Sequence, residues 1–528
     1  MLAHGAGLCY IEGAFHAFYK EALGLTKLSA RERARMGLLA LVVAAAALFF
    51  CSKSSPAYPI NDWSDANIYF SAGKGMLAGR VMYRDLYDHK GPLIYALHAL
   101  CALVCPADFT GVWVLEILFA AAFLLEGYRA VKAMAGRRAA LLSIPLTALC
   151  VYTSYCFQAG DSAEELALPM ILLVQLHWLE SLKSEKPVSF GRLLGDGFLF
   201  GCVFWMKFTL CGTQGMALLL GCLLAARQNG AKGFFRSLGG LLLGFLLSAL
   251  PWLLYFGLNG ALADWLKTYL YDNLFLYSSG EGGLLWRAKQ MLKSGWEWLS
   301  RSPLCALPVC AGVIASCFGR GKTGWQRIGW LLPFLLGALG VFIGGKTYPY
   351  YPLALAAFLP CFFGWLGALL EKRLAGLSKR AYPLLAAALC GLCVLLCPVF
   401  SPNVKESFGL PREETMQYQF AAKIAETPGA TLLNYGFMDA GFYTAAQITP
   451  NMKYYHQTNV PLQEMLDEQV RYIRDGVCDY VVTRGRQPED ILKTYDLIAA
   501  AETPEGFWYD EVYLYRRKGL IGEEKDRS

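Results

Sequence analysis

The sequence predicts a mainly α-helical membrane protein with about eleven transmembrane helices and a small C-terminal α/β domain. Of its 528 residues, 55% are hydrophobic and only 17% are charged, whereas soluble domains carry about a quarter charged residues. The mean hydropathy is +0.36. Apolar stretches of about 20 residues, the length that crosses a bilayer, recur between Leu38 and Phe400.

The net charge of +7 does not indicate nucleic-acid binding, because Lys and Arg lie in short clusters between apolar runs. Such clusters mark the cytoplasmic loops of membrane proteins. Most of the 17 cysteines also lie inside apolar runs, where a thiol behaves as a small hydrophobic group. We therefore predict no nucleic-acid partner, no disulfide framework and no zinc site built from paired cysteines.

The basic clusters also predict the orientation. They place the N-terminal segment 1–36 in the cytoplasm, and the first span, about 37–52, is a retained anchor that leads to a large outer loop, 53–109. The apolar stretch Leu93–Val104 in this loop is short for a span, so we predict a helix that lies at the membrane interface. Every basic cluster between the later spans then falls on the cytoplasmic side, including the clusters at 129–138 after span two and at 227–236 after span six. Span seven, 237–257, leads to an outer loop of about forty residues, and 37–400 forms the transmembrane domain.

Residues 401–528 have a different pattern. Helical stretches rich in Gln and Glu alternate there with strand-like runs such as Tyr480–Thr483 and Val512–Tyr515. This alternation predicts a small mixed α/β domain, which the orientation places outside the cell membrane.

Ionisable residues cluster in the predicted outer loops. Five of them fall within seven positions just before the interfacial helix: Arg84, Asp85, Asp88, His89 and Lys90. A solvated loop with salt bridges would explain this pattern, and so would a site that binds a phosphate at the headgroup level. A second cluster, Asp161 to Glu165, lies between spans three and four. Ser162 and Glu165 fit a capping box, which does not exclude a catalytic role for Glu164.

Two lysines follow the same pattern. Lys207 lies just inside a span, where a lysine is costly and often functional, although its amine could also extend to the interface. Lys346 is followed by Tyr348, Tyr350 and Tyr351, which an interfacial aromatic belt would also explain. Acids and lysines at one membrane face suit a substrate with an anionic head and a lipid tail.

The first loop also carries a recognisable motif. The first-loop signature of bacterial membrane glycosyltransferases of the GT-C type resembles four blocks of this loop: Asp65-x-x-x-Tyr69, Gly73-Lys74-Gly75, Gly79-x-x-x-Tyr83-Arg84-Asp85 and the run Tyr87–Tyr95. These glycosyltransferases are relatives of the protein O-mannosyltransferases and of the lipid A aminoarabinose transferase (families 39 and 83). Two further blocks, Glu164–Pro169 and Asn434–Phe437 with Tyr443, are similar to that family, and the likeness covers about 55–528.

The resemblance implies an inverting glycosyltransferase of the bacterial cytoplasmic membrane. Its donor would be a polyprenyl-phosphate sugar, and its acceptor a hydroxyl group of an envelope glycan, lipid or protein at the outer face. Asp65 matches the catalytic acid of the first loop and is the candidate general base. Lys90 matches the lysine that binds the donor phosphate. Glu164 matches the second acid, with Glu165 and Asp161 as the open alternatives.

Further site residues complete this prediction. Positive charge for the donor phosphate would also come from three residues, Arg84, Lys207 and Lys346. Substrate contacts are predicted for Tyr69, Tyr83, Asp88, His89 and Tyr350. No cofactor is required. A divalent Mg, Mn or Zn ion held by Asp65, His89 and Glu164 is compatible with their oxygen and imidazole ligands, but His89 stands where the lipid A enzyme has an acid, so that enzyme's metal does not carry over.

Two other functions remain open from the sequence. Glu116 and Asp196 lie within predicted spans, as ionisable residues of transporters and flippases do. A polysaccharide polymerase or ligase would have the same hydropathy profile but would use a diphosphate-linked lipid donor. The identity of the lipid donor separates the polymerase or ligase from the glycosyltransferase, which would use a monophosphate-linked sugar.

Overall fold

The computed structural model describes residues 28–183, 188–277, 282–319, 323–378, 380–485, 488, 490–502 and 511–520. Most of the predicted N-terminal segment 1–36 lies outside these residues, as does the end of the predicted C-terminal domain after residue 520. So do several basic residues on which the predicted orientation depends: Lys27, Lys186, Arg320, Lys322 and Lys379.

Helices dominate the described chain. In order they are α1 Ala30–Cys51, α2 Ser64–Leu77, α3 Pro92–Val104, α4 Thr110–Tyr152, α5 Ala163–Lys183, α6 Phe190–Phe204, α7 Gly212–Leu258, α8 Leu262–Leu266, a π-helix Lys267–Leu276, α9 Leu284–Arg301, α10 Pro303–Phe318, α11 Gly324–Phe342, α12 Leu359–Leu369, α13 Glu371–Gly376, α14 Ala381–Phe400, α15 Pro402–Ser407, α16 Met416–Ile424, α17 Phe442–Ala445, α18 Gln463–Arg474 and α19 Ile491–Thr494. Short 3-10 helices cover Tyr155–Phe157, Phe208–Cys211, Tyr351–Phe358 and Arg412–Glu414.

The apolar helices confirm a polytopic membrane protein. Among the described residues, seven helices are long and apolar enough to cross a membrane, or up to eight if the bent pair α9–α10 counts as one span. Helix α4 has 43 residues and helix α7 has 47, lengths of roughly 65–70 Å at 1.5 Å per residue, against a hydrocarbon core of about 30 Å. Both are broken by non-helical backbone, at Gly136 in α4 and at Asn229 and Gly230 in α7. Counting the two halves of each broken helix separately moves the number of apolar segments toward the predicted eleven.

The stretch Leu93–Val104 is helical, as predicted, and forms α3 with 13 residues. A helix of this length extends roughly 20 Å, which is shorter than the hydrocarbon core. Pro92 at its first turn and Gly91 before it fix where the helix begins. Its predicted position at the membrane interface stays a prediction.

The loop of about forty residues predicted after the seventh span is mostly helical instead. Helix α8, the π-helix and α9 occupy most of 262–301. Apolar stretches of about 20 residues are the signal on which the span prediction depended, and these shorter or amphipathic helices lack it.

The C-terminal region contains a four-stranded sheet with the strands β1 Leu432–Tyr435, β2 Tyr480–Arg484, β3 Tyr495–Glu502 and β4 Glu511–Arg517. The spatial order is β1-β2-β4-β3. Strand β1 is parallel to β2, and β4 is antiparallel to both β2 and β3. The two runs predicted as strands, Tyr480–Thr483 and Val512–Tyr515, are confirmed and lie next to each other, with Val481 opposite Tyr515.

The chain divides into two compact units. The first comprises Met1–Ser52, Val114–Pro251 and Glu281–Glu406, and the second comprises Lys53–Trp113, Trp252–Gly280 and Ser407–Ser528. The second unit therefore joins the predicted first outer loop to the C-terminal region. Backbone hydrogen bonds connect them, from Gly409 N to Ala57 O at 2.8 Å and from Tyr87 N to Lys453 O at 2.9 Å.

Candidate active site

Helix α2 of the second unit carries two predicted site residues on one face. Asp65 and Tyr69 are four residues apart, so successive helical turns bring their side chains together. The Tyr69 hydroxyl donates a hydrogen bond to Asp65 Oδ2 at 3.1 Å. Asp65 lies in the first turn of α2, where the helix dipole favours a negative charge.

Lys90, which lies in the first loop two residues before helix α3, is close to this pair. Its Nζ lies 3.4 Å from Asp65 Oδ2 and 5.7 Å from the centre of the Tyr69 ring. The side chains of Lys90 and Asp65 are only 11% and 7% exposed. The structure thus brings together the predicted base, the predicted phosphate-binding lysine and one predicted substrate-binding tyrosine.

The backbone of Lys90 is held by two buried tyrosines. The Tyr83 hydroxyl donates to the Lys90 carbonyl at 2.7 Å, and the Lys90 N–H donates to the Tyr95 hydroxyl at 3.0 Å. The Tyr95 hydroxyl in turn donates to Asp88 Oδ2 at 2.5 Å. These bonds connect Tyr83 directly, and Asp88 through Tyr95, to the Lys90 backbone, whereas the predicted contacts of Tyr83 and Asp88 with substrate stay predictions.

Asp88 and His89 are both buried in this loop, with Asp88 Oδ1 3.4 Å from His89 Nδ1. Burial alone would raise the pKa of Asp88, but the neighbouring His89 imidazole and the Lys90 charge hold it well below its usual range. Burial and the Lys90 charge lower the pKa of His89. His89 is therefore neutral at pH 7, and Lys90 supplies the positive charge next to Asp65.

The π-helix supplies two contacts that sequence reasoning missed. Asn273 Nδ2 donates to the His89 carbonyl at 2.6 Å, and the Tyr87 hydroxyl donates to Asp272 Oδ2 at 2.9 Å. Both bonds join positions about 185 residues apart. The uncommon π-helix is often found at functional positions, but no local sequence pattern predicts where one forms.

Arg84 has a different environment. Its guanidinium forms bonds of 2.8 and 2.9 Å with the Asp85 carboxylate, and its Nη1 donates to the Asn259 carbonyl at 2.7 Å. The side chain is 43% exposed. Its predicted role at a phosphate stays a prediction.

The first unit holds a second acid–lysine pair. Lys207 Nζ lies 2.6 Å from Glu164 Oε1, and their side chains are 12% and 1% exposed. Lys207 also lies 3.9 Å from the centre of the Tyr351 ring and 5.2 Å from that of Tyr350. Three predicted residues, Glu164, Lys207 and Tyr350, are therefore neighbours, and Lys346 precedes Tyr350 on the same half-buried segment.

The other acids of this cluster have different partners. The Asp161 N–H donates to Glu116 Oε1 at 2.9 Å and to Glu165 Oε2 at 3.0 Å, and Ser52 Oγ donates to Glu116 at 2.8–2.9 Å. The Glu165 N–H donates to Ser162 Oγ at 3.0 Å, which confirms one bond of the predicted capping box, whereas the Glu165 carboxylate accepts from the Asp161 N–H. Glu164, one of the three candidates for the second acid, pairs with Lys207 among the described residues.

Glu116 and Asp196, the two residues that suggested a transporter, each have a partner in the first unit. Glu116 accepts the bonds described above, and Asp196 Oδ1 lies 2.5 Å from His177 Nδ1. These contacts account for both groups as paired polar residues inside a helical bundle.

A metal site is not evident from the described side chains. Among the residues that the structure describes, no group of three or more His, Cys, Asp and Glu side chains is arranged to hold a metal ion. Of the predicted ligands, Asp65 and His89 belong to the second unit and Glu164 to the first. A divalent ion held by Asp65, His89 and Glu164 therefore stays a prediction.

A further buried lysine lies on α2, nine residues after Asp65. Lys74 Nζ has no hydrogen-bond partner among the described residues and lies 4.8 Å from the centre of the Phe70 ring. Burial lowers the pKa of Lys74 to about 8, although the charge of Asp439 opposes this shift. Asp439 is itself bound to α2, because Ser71 Oγ donates to its Oδ2 at 3.1 Å. Sequence reasoning did not identify this buried pair.

Comparison with known proteins yields structural relatives. No family model matches the chain, and no curated protein matches it. The structure is similar to that of ArnT from Cupriavidus metallidurans bound to undecaprenyl phosphate, with 14% identity and a TM-score of 0.53, over 93% of this chain and 98% of that one. The arabinofuranosyltransferase AftD from Mycobacteria also aligns, with 14% identity and a TM-score of 0.45, over 93% of this chain.

This chain spans 42% of the AftD chain, and the TM-score of that alignment is too low to bear on the fold. The likeness to ArnT extends over nearly the whole length of both chains and concerns the fold alone. It confirms the architecture that the sequence predicted. The chain has the GT-C-type fold of a polytopic membrane protein.

Proposed function

We propose that the protein is an inverting glycosyltransferase that transfers a sugar from a polyprenyl-phosphate donor to a hydroxyl acceptor at the outer face of the bacterial cytoplasmic membrane. The observation that carries this proposal is the grouping of Asp65, Tyr69 and Lys90. Asp65 and Lys90 are 25 positions apart within the first loop, and their charged groups approach to 3.4 Å. The ArnT structure, which contains undecaprenyl phosphate, has the same fold, and this supports a polyprenyl-phosphate partner.

The proposed chemistry assigns one role to each charged group. The Asp65 carboxylate accepts the proton of the acceptor hydroxyl, and the oxygen of that hydroxyl attacks the anomeric carbon of the sugar. The bond between that carbon and the phosphate oxygen breaks, and its electron pair leaves with the polyprenyl phosphate. Because the leaving phosphate gains negative charge, the Lys90 ammonium stabilises it more in the transition state than in the donor.

The separation of 3.4 Å suits these roles. Charge-assisted N–H···O bonds are usually 2.7–2.9 Å long, so the two groups attract each other without forming a short bond. The Tyr83 and Tyr95 bonds to the Lys90 backbone supply positioning that does not depend on Asp65. In the proposed reaction, a phosphate and an acceptor hydroxyl would take up positions next to these two side chains.

A transfer assay tests the proposal. Full-length protein in detergent or vesicles is supplied with sugar linked to polyprenyl monophosphate or to polyprenyl diphosphate, and release of the lipid phosphate is measured. Release from the monophosphate donor is expected. Release from the diphosphate donor alone would favour the polymerase or ligase alternative instead.

Lys90→Ala adds a second test, because loss of the ammonium should mainly weaken donor binding. One charge-assisted contact contributes about 1.5–3 kcal/mol, so the donor KM should rise roughly 10- to 100-fold. An unchanged donor affinity would remove the phosphate role of Lys90.

A further inference from the structure

Helix α9 of the first unit has a surface that the proposed chemistry does not use. The exposed side of this helix bears apolar side chains, since Leu285 is 88% exposed, Leu292 77% and Trp296 69%. The opposite side faces the protein and includes the buried Ser294 and Trp298. Large apolar side chains that point away from the protein indicate a partner that covers them.

Basic residues lie on the same exposed side. Positions 285, 289, 292 and 296 follow one another at intervals of four, three and four residues and so share one helix face, and position 293 lies one turn after 289 on the same face. Lys289 and Lys293 therefore stand among the exposed apolar residues, and both lysines are exposed. Helix α9 carries four basic residues, Arg287, Lys289, Lys293 and Arg301, and a single acid, Glu297.

The direction of α9 follows from the helix after it. Helix α10, Pro303–Phe318, is apolar, and the two helices are bent by 112° at Ser302. Transmembrane helices tilt on average by about 20° from the bilayer normal. If α10 crosses the bilayer, α9 runs close to the membrane plane.

We propose that α9 lies in the headgroup layer of the membrane and binds anionic phospholipids. Leu285, Leu292 and Trp296 enter the boundary between headgroups and acyl chains, where tryptophan is enriched. Lys289 and Lys293 then reach the phosphates of anionic lipids. A crossing orientation would instead place both exposed lysines in hydrocarbon, at a cost of several kcal/mol each.

This inference concerns a lipid partner of α9 and does not depend on the transfer reaction. The test uses full-length protein in nanodiscs that contain a photoactivatable phosphatidylglycerol, with a photoactivatable phosphatidylcholine as the comparison. After illumination, mass spectrometry maps the labelled peptides. Residues 285–301 should be labelled more strongly by the phosphatidylglycerol probe, and high salt should weaken this labelling.

The variant Lys289→Ala/Lys293→Ala removes both charges from the exposed face. One lysine near an anionic surface contributes about 1 kcal/mol, or roughly fivefold in binding, so labelling of α9 by phosphatidylglycerol should fall at least fivefold. The matched control is Lys423→Ala/Lys493→Ala, which removes two exposed lysines from the C-terminal region and should leave labelling unchanged. Unchanged unfolding temperatures show that both variants fold.

Two outcomes would overturn the proposal. Equal labelling by both probes, with no effect of the lysine variant, would mean that α9 meets lipid without selecting anionic headgroups. Labelling elsewhere together with crosslinks from α9 to a second copy of the chain would mean that a protein surface, and not the membrane, covers the exposed side chains.

Discussion

The two acid–lysine pairs of this protein differ in the distance between the lysine nitrogen and the carboxylate oxygen. In the first unit, Glu164 and Lys207 form a bond of 2.6 Å, and Tyr351 lies 3.9 Å from the lysine. In the second unit, Asp65 and Lys90 remain 3.4 Å apart. The shorter separation is that of a charge-assisted hydrogen bond, whereas the longer one exceeds that length and leaves room for a ligand beside both charges. We therefore expect the first pair to support the fold and the second to support the reaction.

The largest effect is expected from Asp65→Asn. Loss of a general base typically costs 10²- to 10⁴-fold in rate, so kcat should fall by about this factor while the unfolding temperature stays the same. The measurement is lipid-phosphate release under saturating donor. Asp467→Asn, an exposed aspartate on α18, is the control and should transfer normally. Wild-type activity in Asp65→Asn would contradict the assignment of the base.

The next effect concerns the fold. Lys207→Ala leaves the carboxylate of Glu164, which is 1% exposed, without its counter-charge, and breaking a buried pair in this way costs about 3–5 kcal/mol. The free energy of unfolding in detergent should fall accordingly. The double variant Glu164→Gln/Lys207→Met removes both charges and should recover most of the loss. If Lys207→Ala unfolds like the wild type but loses transfer, the comparison of the two pairs is wrong.

A smaller effect involves Lys74, the buried lysine of α2 whose charge is countered by Asp439. Its pKa in the folded protein is about 8, against an ordinary value of 10.5. Between these two values the unfolded chain binds more protons than the folded one, so the free energy of unfolding should rise with pH from about 8 to 10.5. Below pH 8 the destabilisation by buried Lys74 is fully present.

Lys74→Met should remove this pH dependence and raise the free energy of unfolding at pH 7 by up to about 3 kcal/mol. Unfolding curves of the variant and the wild type, recorded from pH 7 to above pH 10, provide the check. Parallel pH profiles would show that Lys74 is not responsible.

The smallest effect is expected from Asn273→Ala. Removing the bond to the His89 carbonyl leaves that carbonyl unpaired, at a cost of about 1–1.5 kcal/mol, and loosens the segment before Lys90. The donor KM should rise roughly five- to tenfold while kcat changes little. Asn259→Ala, an exposed asparagine after α7, serves as the matched control. An effect on kcat alone would mean that Asn273 does not act through Lys90.

Local patterns accounted for much of the fold. The apolar stretch at 93–104 predicted helix α3, and the runs at 480–483 and 512–515 predicted two strands, which the structure places next to each other. These predictions succeed because the periodicity of a helix or a strand is visible in consecutive residues. Ser162 was likewise predicted as a helix cap from its spacing to Glu165. The residues Asp65, Tyr69 and Lys90 were predicted from their motif.

Long-range contacts were not predictable in this way. Asn273 and Asp272 contact the first loop across about 185 residues, and no local pattern marks them as partners of His89 and Tyr87. The breaks in the long helices were predictable by contrast, because Gly136 in α4 and Gly230 in α7 fall within the basic clusters 129–138 and 227–236 that the sequence predicts between spans. Helix α9 lies in a segment that the sequence predicts as a loop, because lysines interrupt its apolar residues.

The bond between Ser71 and Asp439 has a consequence for biosynthesis. These residues are 368 positions apart, and a ribosome adds about 5–20 residues per second. Helix α2 is therefore synthesised roughly 20–70 s before Asp439, which accepts the bond from Ser71, is added to the chain. During this interval Lys74 lacks the acid that counters its charge in the finished protein, so a nascent chain stalled before residue 439 should expose helix α2 to proteases and chaperones.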